Sequence, residues 1–148
     1  MLHKTFGWKL NRDVKERKAL FRSLIIALIQ HGRIETSVAK AKAVTRMVDK
    51  LVTKAKDNTD ASIRKLSSFL TQKAVISRMR KVIAPKFLNR HGGYVRVRKT
   101  SLRSGDGTQK VIIEWTENME ETEEKSKAKK NDKKTTKKAV KKEMKEKK

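Results

Sequence analysis

Lys42, Arg46, Lys50 and Lys54 recur at every fourth position, and Lys15, Lys18 and Arg22 follow at i, i+3 and i+7. On a helix each series falls along one line. Like charges at i, i+4 cost about 0.2–0.5 kcal/mol per pair in an isolated helix. A row of this kind therefore opposes stability unless anions neutralise it. A third group alternates: in YVRVRK, Tyr94, Arg96 and Arg98 share one side of a strand, and Val95 and Val97 the other. Such cations can neutralise and hydrogen-bond phosphate oxygens, and arginine can also stack on a planar base. A solvated face accounts for any single row, but less well for a pattern repeated along one small chain.

Groups suited to proton transfer or covalent chemistry are scattered. His3, His31 and His91 show no ligand spacing with each other or with carboxylates. Asp13, Glu16, Glu35, Asp49, Asp57, Asp60, Asp106 and Glu114 are dispersed, several at expected caps and turns. No GxxxxGK[ST], GxSxG or HExxH run occurs, and SGDGT lacks the repeated oxygen ligands of a calcium loop. An enzyme is not expected, and no metal or organic cofactor is implied. The chain has no cysteine, which excludes disulfides and thiolate metal sites.

Lys and Arg number 40 against 16 Asp and Glu in 148 residues, a net charge of +24. That much like charge favours a polyanionic partner, with nucleic acid first and an anionic membrane surface second. The longest apolar run, LIIALI from Leu24 to Ile29, is far short of the roughly 20 residues that cross a bilayer. The start is basic but no small-residue cleavage site follows, so the expectation is a soluble intracellular protein.

Four helices are expected to position the cations. Asn11 caps the first, Asp13 sits near its positive end, and Gly32 closes it in the left-handed conformation. Its apolar face is Val14, Phe21, Ile25, Leu28 and Ile29, widened by Leu20 and Leu24. RIET, from Arg33 to Thr36, is a short extended candidate. Thr36 or Ser37 caps a second helix reaching about Lys56, on Val38, Ala41, Val44, Val48, Leu51, Val52 and Ala55. Asp60 caps a third with Ile63, Leu66 and Leu70. Thr71 begins a fourth with Val75, Met79, Val82 and Ile83, which Pro85 ends by pushing Ala84 out of the helical region. The period then changes to 2, giving strands at YVRVRK and at VIIEW, Val111 to Trp115, with the turn SGDG between them. Two strands are marginal alone and need the helices, with RIET a candidate third strand, to cover them.

Two further stretches bear on binding. In NRHGGYVRV, Gly92 and Gly93 allow positive φ or a close backbone approach between Arg90 and the strand arginines. In MLHKTFGWKLNRD, His3, Lys4, Lys9 and Arg12 surround Phe6 and Trp8, which either stack on unpaired bases or fold back on the core. Beyond Trp115 the composition shifts: residues 117–148 hold 13 Lys and 8 acidic residues with almost nothing apolar. Disorder is the expectation there. The preceding residues keep 27 basic against 8 acidic side chains, +19. The expected division is an arm at 1–11, a globular domain at 12–116 and a low-complexity charged tail at 117–148.

Over residues 1–116 the chain resembles the bacterial-type large-subunit ribosomal protein seventeen family. The resemblance rests on M-x-H-K with Gly7, LNR at Leu10 to Arg12, and a long helix bearing Arg22. It continues with KAK at Lys40 to Lys42, RxGGYxR at Arg90 to Arg96, and RxGD at Arg103 to Asp106. It implies a two-layer α+β domain, about four helices on a small mixed sheet, with an extended basic arm that inserts among RNA segments. It implies a structural constituent of the large ribosomal subunit, binding its RNA near the peptide exit tunnel, in a cytoplasmic or organellar ribosome. Expected partners are that RNA, its own bound magnesium and neighbouring ribosomal proteins, with no membrane and no small-molecule substrate. The residues expected to meet RNA are His3, Lys4, Lys9, Arg12, Lys15, Lys18, Arg22, Lys40, Lys42 and Arg46. Arg90, Gly92, Gly93, Arg96, Arg98 and Arg103 are expected to do so from the loop and strand. Leu2, Phe6 and Trp8 stand where the family has polar or basic residues, and the lysine-rich tail passes its usual end. By charge alone a DNA-binding architectural protein is the second reading. An enzyme acting on RNA is the third, and needs clustered carboxylates that are not seen.

Overall fold

In the computed structural model of the chain, residues 8–119 are described. The chain divides between Glu117 and Asn118, and every element below belongs to the first part. Helix α1, Val14–His31, buries Ile25, Leu28 and Ile29, which recur at the spacing of one helical face. Gly32 closes it at φ 76°, its N–H donating to the Leu28 carbonyl at 2.9 Å. The other end departs from expectation. Leu10 and Asn11 have φ of 53° and 51°, and Asp13, not Asn11, occupies the cap position. Asparagine tolerates the left-handed region better than most residues, so Asn11 turns the chain rather than capping the helix.

Strand β1, Arg33–Ser37, leads directly into helix α2, Val38–Asp57, with Ser37 at the cap. Helix α3, Asp60–Phe69, is capped by Thr59, whose side chain accepts from the Ser62 N–H. Asp60, read as the cap, lies instead in the first turn. Helix α4, Lys73–Arg78, has Gln72 as its cap, so it starts after Thr71. It runs on through a π-helical segment, Met79–Ile83, to a last turn at Ala84–Lys86.

Pro85 does not eject Ala84, which stays helical at φ −54° and ψ −42°. Proline removes a backbone donor and crowds the carbonyl four residues back. Here the Ala84 N–H reaches the Met79 carbonyl five residues back. The wider π turn immediately before Pro85 makes room for its ring, so the helix lasts to Lys86 instead of stopping at the proline.

Strands β2, Val95–Leu102, and β3, Gln109–Trp115, complete a sheet of order β1-β3-β2. RIET does supply the third strand. Every pairing is antiparallel, where a mixed sheet was expected. β1 returns along β3 after the intervening helices, and β2 reaches β3 through a hairpin. Val111, Ile113 and Trp115 are buried along β3 while Lys110, Ile112 and Glu114 alternate with them. The helices cover the buried face, giving two layers.

An aromatic cluster joins the layers. Phe87 lies 5.1 Å from Tyr94, edge to face, and 5.9 Å from Trp115, and the Trp115 indole N–H donates to the Leu28 carbonyl of α1 at 3.3 Å. Tyr94 is fully buried, not on the exposed side with Arg96 and Arg98. The strand begins only at Val95, so the alternation does not extend back to Tyr94, and its ring turns toward Phe87. Among the described residues no helix is long and apolar enough to cross a membrane. His3, Lys4 and Phe6, and nearly all of the tail, lie outside the described residues.

Candidate nucleic-acid interface

Helix α2 sets its long cations on the side away from the core. Ala41, Val44, Val48, Val52 and Ala55 are buried, whereas Lys42, Arg46 and Lys50 are exposed and Lys40 and Lys54 half-buried. Lys42 and Lys50 are eight residues apart, about 12 Å along the axis at 1.5 Å per residue. Among the described residues, Lys42, Arg46 and Lys50 have no carboxylate within ion-pair distance. A line of like charges with nothing opposite it is a surface on which a polyanion gains most.

On α1, Lys15 and Lys18 are exposed in the same way. Arg22 differs. Its Nε donates to the Phe69 carbonyl at 2.7 Å, and its guanidinium lies 5.9 Å from the Phe69 ring centre. Phe69 ends α3, where carbonyls lack helical partners and cations are favoured. Arg22 thus ties α1 to α3, which spacing alone did not show.

The chain before α1 is held by arginines on its own backbone. Arg12 Nη1 donates to the Leu10 carbonyl at 2.9 Å, and Arg17 Nη1 to the Arg12 and Lys9 carbonyls at 3.1 and 3.4 Å. Lys9 and Arg12 are exposed, and Trp8 is 46% exposed. Arg17 was not a sequence candidate. Its work is to fold the turn, and no period marks a side chain that bonds to backbone.

The glycine loop is fastened to the end of α2. Lys56 Nζ donates to the Arg90 carbonyl at 2.6 Å, and so does the Tyr94 hydroxyl at 3.2 Å. Lys56 also lies 5.5 Å from the Tyr94 ring centre. Asp49 Oδ1 accepts the Tyr94 N–H at 3.2 Å, and Thr116 donates to the Tyr94 carbonyl from both its N–H and its hydroxyl. Between these anchors Gly93 has φ 61°, which an L side chain adopts only with strain. Arg90 Nε bonds the Gly92 carbonyl at 3.1 Å, and its Nη1 lies 3.8 Å from Glu117. Lys56, Asp49 and Tyr94 are the positioning residues that sequence reasoning missed. Lys56 lies outside the every-fourth cationic row and Asp49 is an isolated acid, so neither carried a signal.

The strand arginines are partly neutralised. Register places Arg33 and Arg96 on either side of Glu114. Arg96 Nε donates to Glu114 Oε1 at 2.6 Å, and Arg98 Nη1 approaches the same oxygen at 3.5 Å. Arg103 lies 3.4 Å from Asp106, whose carboxyl the Thr108 hydroxyl and N–H, and then Arg103, hold below its ordinary value. Chiefly the Arg96 hydrogen bond, then the charges of Arg96 and Arg98, hold Glu114 below the ordinary carboxylate range.

A group with a depressed folded-state value stabilises above its unfolded value, about 4.3 for glutamate, and loses that contribution as acid protonates it in the folded state. Glu114→Gln should therefore lower the urea midpoint at neutral pH, with the gap to wild type narrowing in acid. A gap independent of pH would mean that the ion pairs contribute nothing.

The candidates thus fall into separate groups: the turn and start of α1, the α2 row, the glycine loop, and the β2 arginines. No hydrogen bond or ion pair links one group to another among the described residues. A surface contacted at several separate basic places suits an extended, folded polyanion.

Known proteins resemble this chain over most of its length. A model of the family described as Ribosomal protein L17 matches residues 20–116. The chain is 45% identical over 109 residues to Large ribosomal subunit protein bL17 of Natranaerobius thermophilus, covering 74% of this chain and 96% of that one. It is 43% identical over 117 residues to the bL17 of Thermodesulfovibrio yellowstonii, with 79% and 88% coverage. With the bL17 of Koribacter versatilis it shares 40% over 114 residues, with 77% and 71% coverage. The chain therefore belongs to the ribosomal protein L17 family, a family of structural, non-enzymatic proteins of the large ribosomal subunit.

Proposed function

We propose that this chain is a structural constituent of the large ribosomal subunit that binds and stabilises its RNA near the peptide exit tunnel. The observation that carries the reading is the exposed row Lys42, Arg46 and Lys50 on a rigid helix, with no ion-pair partner among the described residues. Cations fixed on such a scaffold release counterions from phosphates without first having to be ordered.

Lys9, Arg12, Lys15 and Lys18 extend the contact from the start of α1, with His3 and Lys4 of the arm at 1–11. Lys40, Lys42 and Arg46 serve it from α2. Arg90, Gly92 and Gly93 bring backbone close to phosphate, and Arg96, Arg98 and Arg103 serve it from the strand side. Arg22 acts mainly by holding α1 against α3. The domain at 12–116 is the scaffold, the tail at 117–148 a separate charged segment, and neighbouring ribosomal proteins complete the surroundings. The setting is the ribosome of the cytoplasm or of an organelle.

The same cations would suit duplex DNA. Retention of the full chain on large-subunit ribosomal RNA and on duplex DNA at matched salt separates the two readings. Stronger retention on the RNA, weakening steeply with salt, is the expected result. Preference for the duplex would favour a DNA-binding architectural role.

A further inference from the structure

Helices α3 and α4 do not close against each other along their full length. Between them lies a groove of about 390 Å³, capped by Asn58 at the end of α2. Ile63 and Ser67, one turn apart on α3, form one wall; Ile76 and Ser77 of α4 form the other. Lys73 and Lys81 are exposed at its rim. Arg80 lines it too, and its Nε is fixed by the Asn58 side-chain oxygen at 3.1 Å. None of the lining residues is a carboxylate.

Each wall of the groove therefore carries an isoleucine and a serine hydroxyl, with cations at the edge. That is the composition of a seat for one unpaired nucleotide, with the base against aliphatic side chains and the phosphate at the rim. Its volume lies in the range of about 300–1,000 Å³ typical of small-ligand sites and is too small to admit a duplex. The two isoleucines are also distinct from the exposed cations that serve backbone contact, since they offer a phosphate nothing.

We propose that this groove receives a single extruded nucleotide of the RNA, an anchor separate from the cationic row of α2. It rests on the reading of the chain as an RNA-binding protein. Lys73 and Lys81 hold the flanking phosphate, and Ile63 and Ile76 face the base. Ser67 and Ser77 offer hydroxyls to its edge.

The test uses the full chain and protein-free large-subunit ribosomal RNA. Ser67→Leu fills the groove without changing charge, at an exposed position, and its melting temperature should stay within a few degrees of wild type. Losing the apolar burial of one base against Ile63 and Ile76 should weaken binding about tenfold, with the salt slope of binding unchanged. Lys73→Ala with Lys81→Ala should instead make the slope shallower. With RNA carrying 4-thiouridine, ultraviolet cross-linking should attach a nucleotide to the peptide around Ser67 or Ser77, and Ser67→Leu should abolish that adduct. Undiminished affinity of Ser67→Leu, or no adduct in this groove while wild type still binds the RNA, overturns the proposal alone. Failure of wild type to bind the RNA would overturn the functional reading as well.

Discussion

Replacing Lys42, Arg46 and Lys50 together by alanine should weaken binding to large-subunit ribosomal RNA at least about 100-fold, at roughly 1 kcal/mol per lost contact. It should also make the log–log salt slope shallower by about 2–3, since each phosphate contact contributes about 0.7–0.9. Stability should move the other way. The three cations stand one turn apart with no carboxylate partner among the described residues. Removing them relieves repulsion at i, i+4, and alanine is the best helix former. The variant should therefore melt at the same temperature as wild type or a little above it. Weaker binding with a lower melting temperature would indicate a fold defect. Unchanged binding would place the RNA on another face.

The second large effect concerns the core. Phe87→Ala should destabilise the domain by about 3–5 kcal/mol, the usual range for deleting a buried phenylalanine. Phe87 is fully buried between Tyr94 and Trp115, and Trp115 is in turn bonded to α1. The cavity would open where α1, α2 and the sheet meet, so little else can move in to fill it. At about 4–8 °C per kcal/mol for a domain of this size, the melting temperature should fall by more than about 12 °C. Because Tyr94 also holds the Arg90 carbonyl, hydrogen exchange around Gly92 and Gly93 should accelerate in the same variant. A shift of under about 1 kcal/mol would mean that the aromatic cluster is not the joint between the layers.

Much of this fold can be read from residue order. The 3.6-residue period of Ile25, Leu28 and Ile29 survives packing because it states which side must be dry. Gly32 marks a left-handed closure that other residues avoid. RIET was identifiable as a third strand because the two later strands need cover. Other features depend on contacts made far along the chain. Pro85 looks like a helix stop from its neighbours, yet a π turn absorbs it once Met79 and Ile83 are buried. Asn11 and Asp60 are competent caps, but Asp13, two residues on, and the preceding Thr59 take the positions.

The candidate site divides in the same way. Exposure of Lys42 and Arg46 follows from the apolar period of α2, since a helix that buries one side must present the other. The engagement of Arg22 with Phe69, 47 residues away, follows from nothing local. Nor does the sharing of Glu114 by Arg96 and Arg98, which depends on strand register. Period tells which side a cation occupies; whether it is free depends on what tertiary structure sets beside it.

The central claim is that this chain's positive surface is matched by ribosomal RNA within the large subunit. Sedimentation of lysate from growing cells through a sucrose gradient, followed by detection of the chain in each fraction, tests it most directly. The chain should travel with large subunits and whole ribosomes, and be released only by high salt or by digestion of the RNA. Its recovery at the top of the gradient, free of ribosomal particles at physiological salt, would contradict the account.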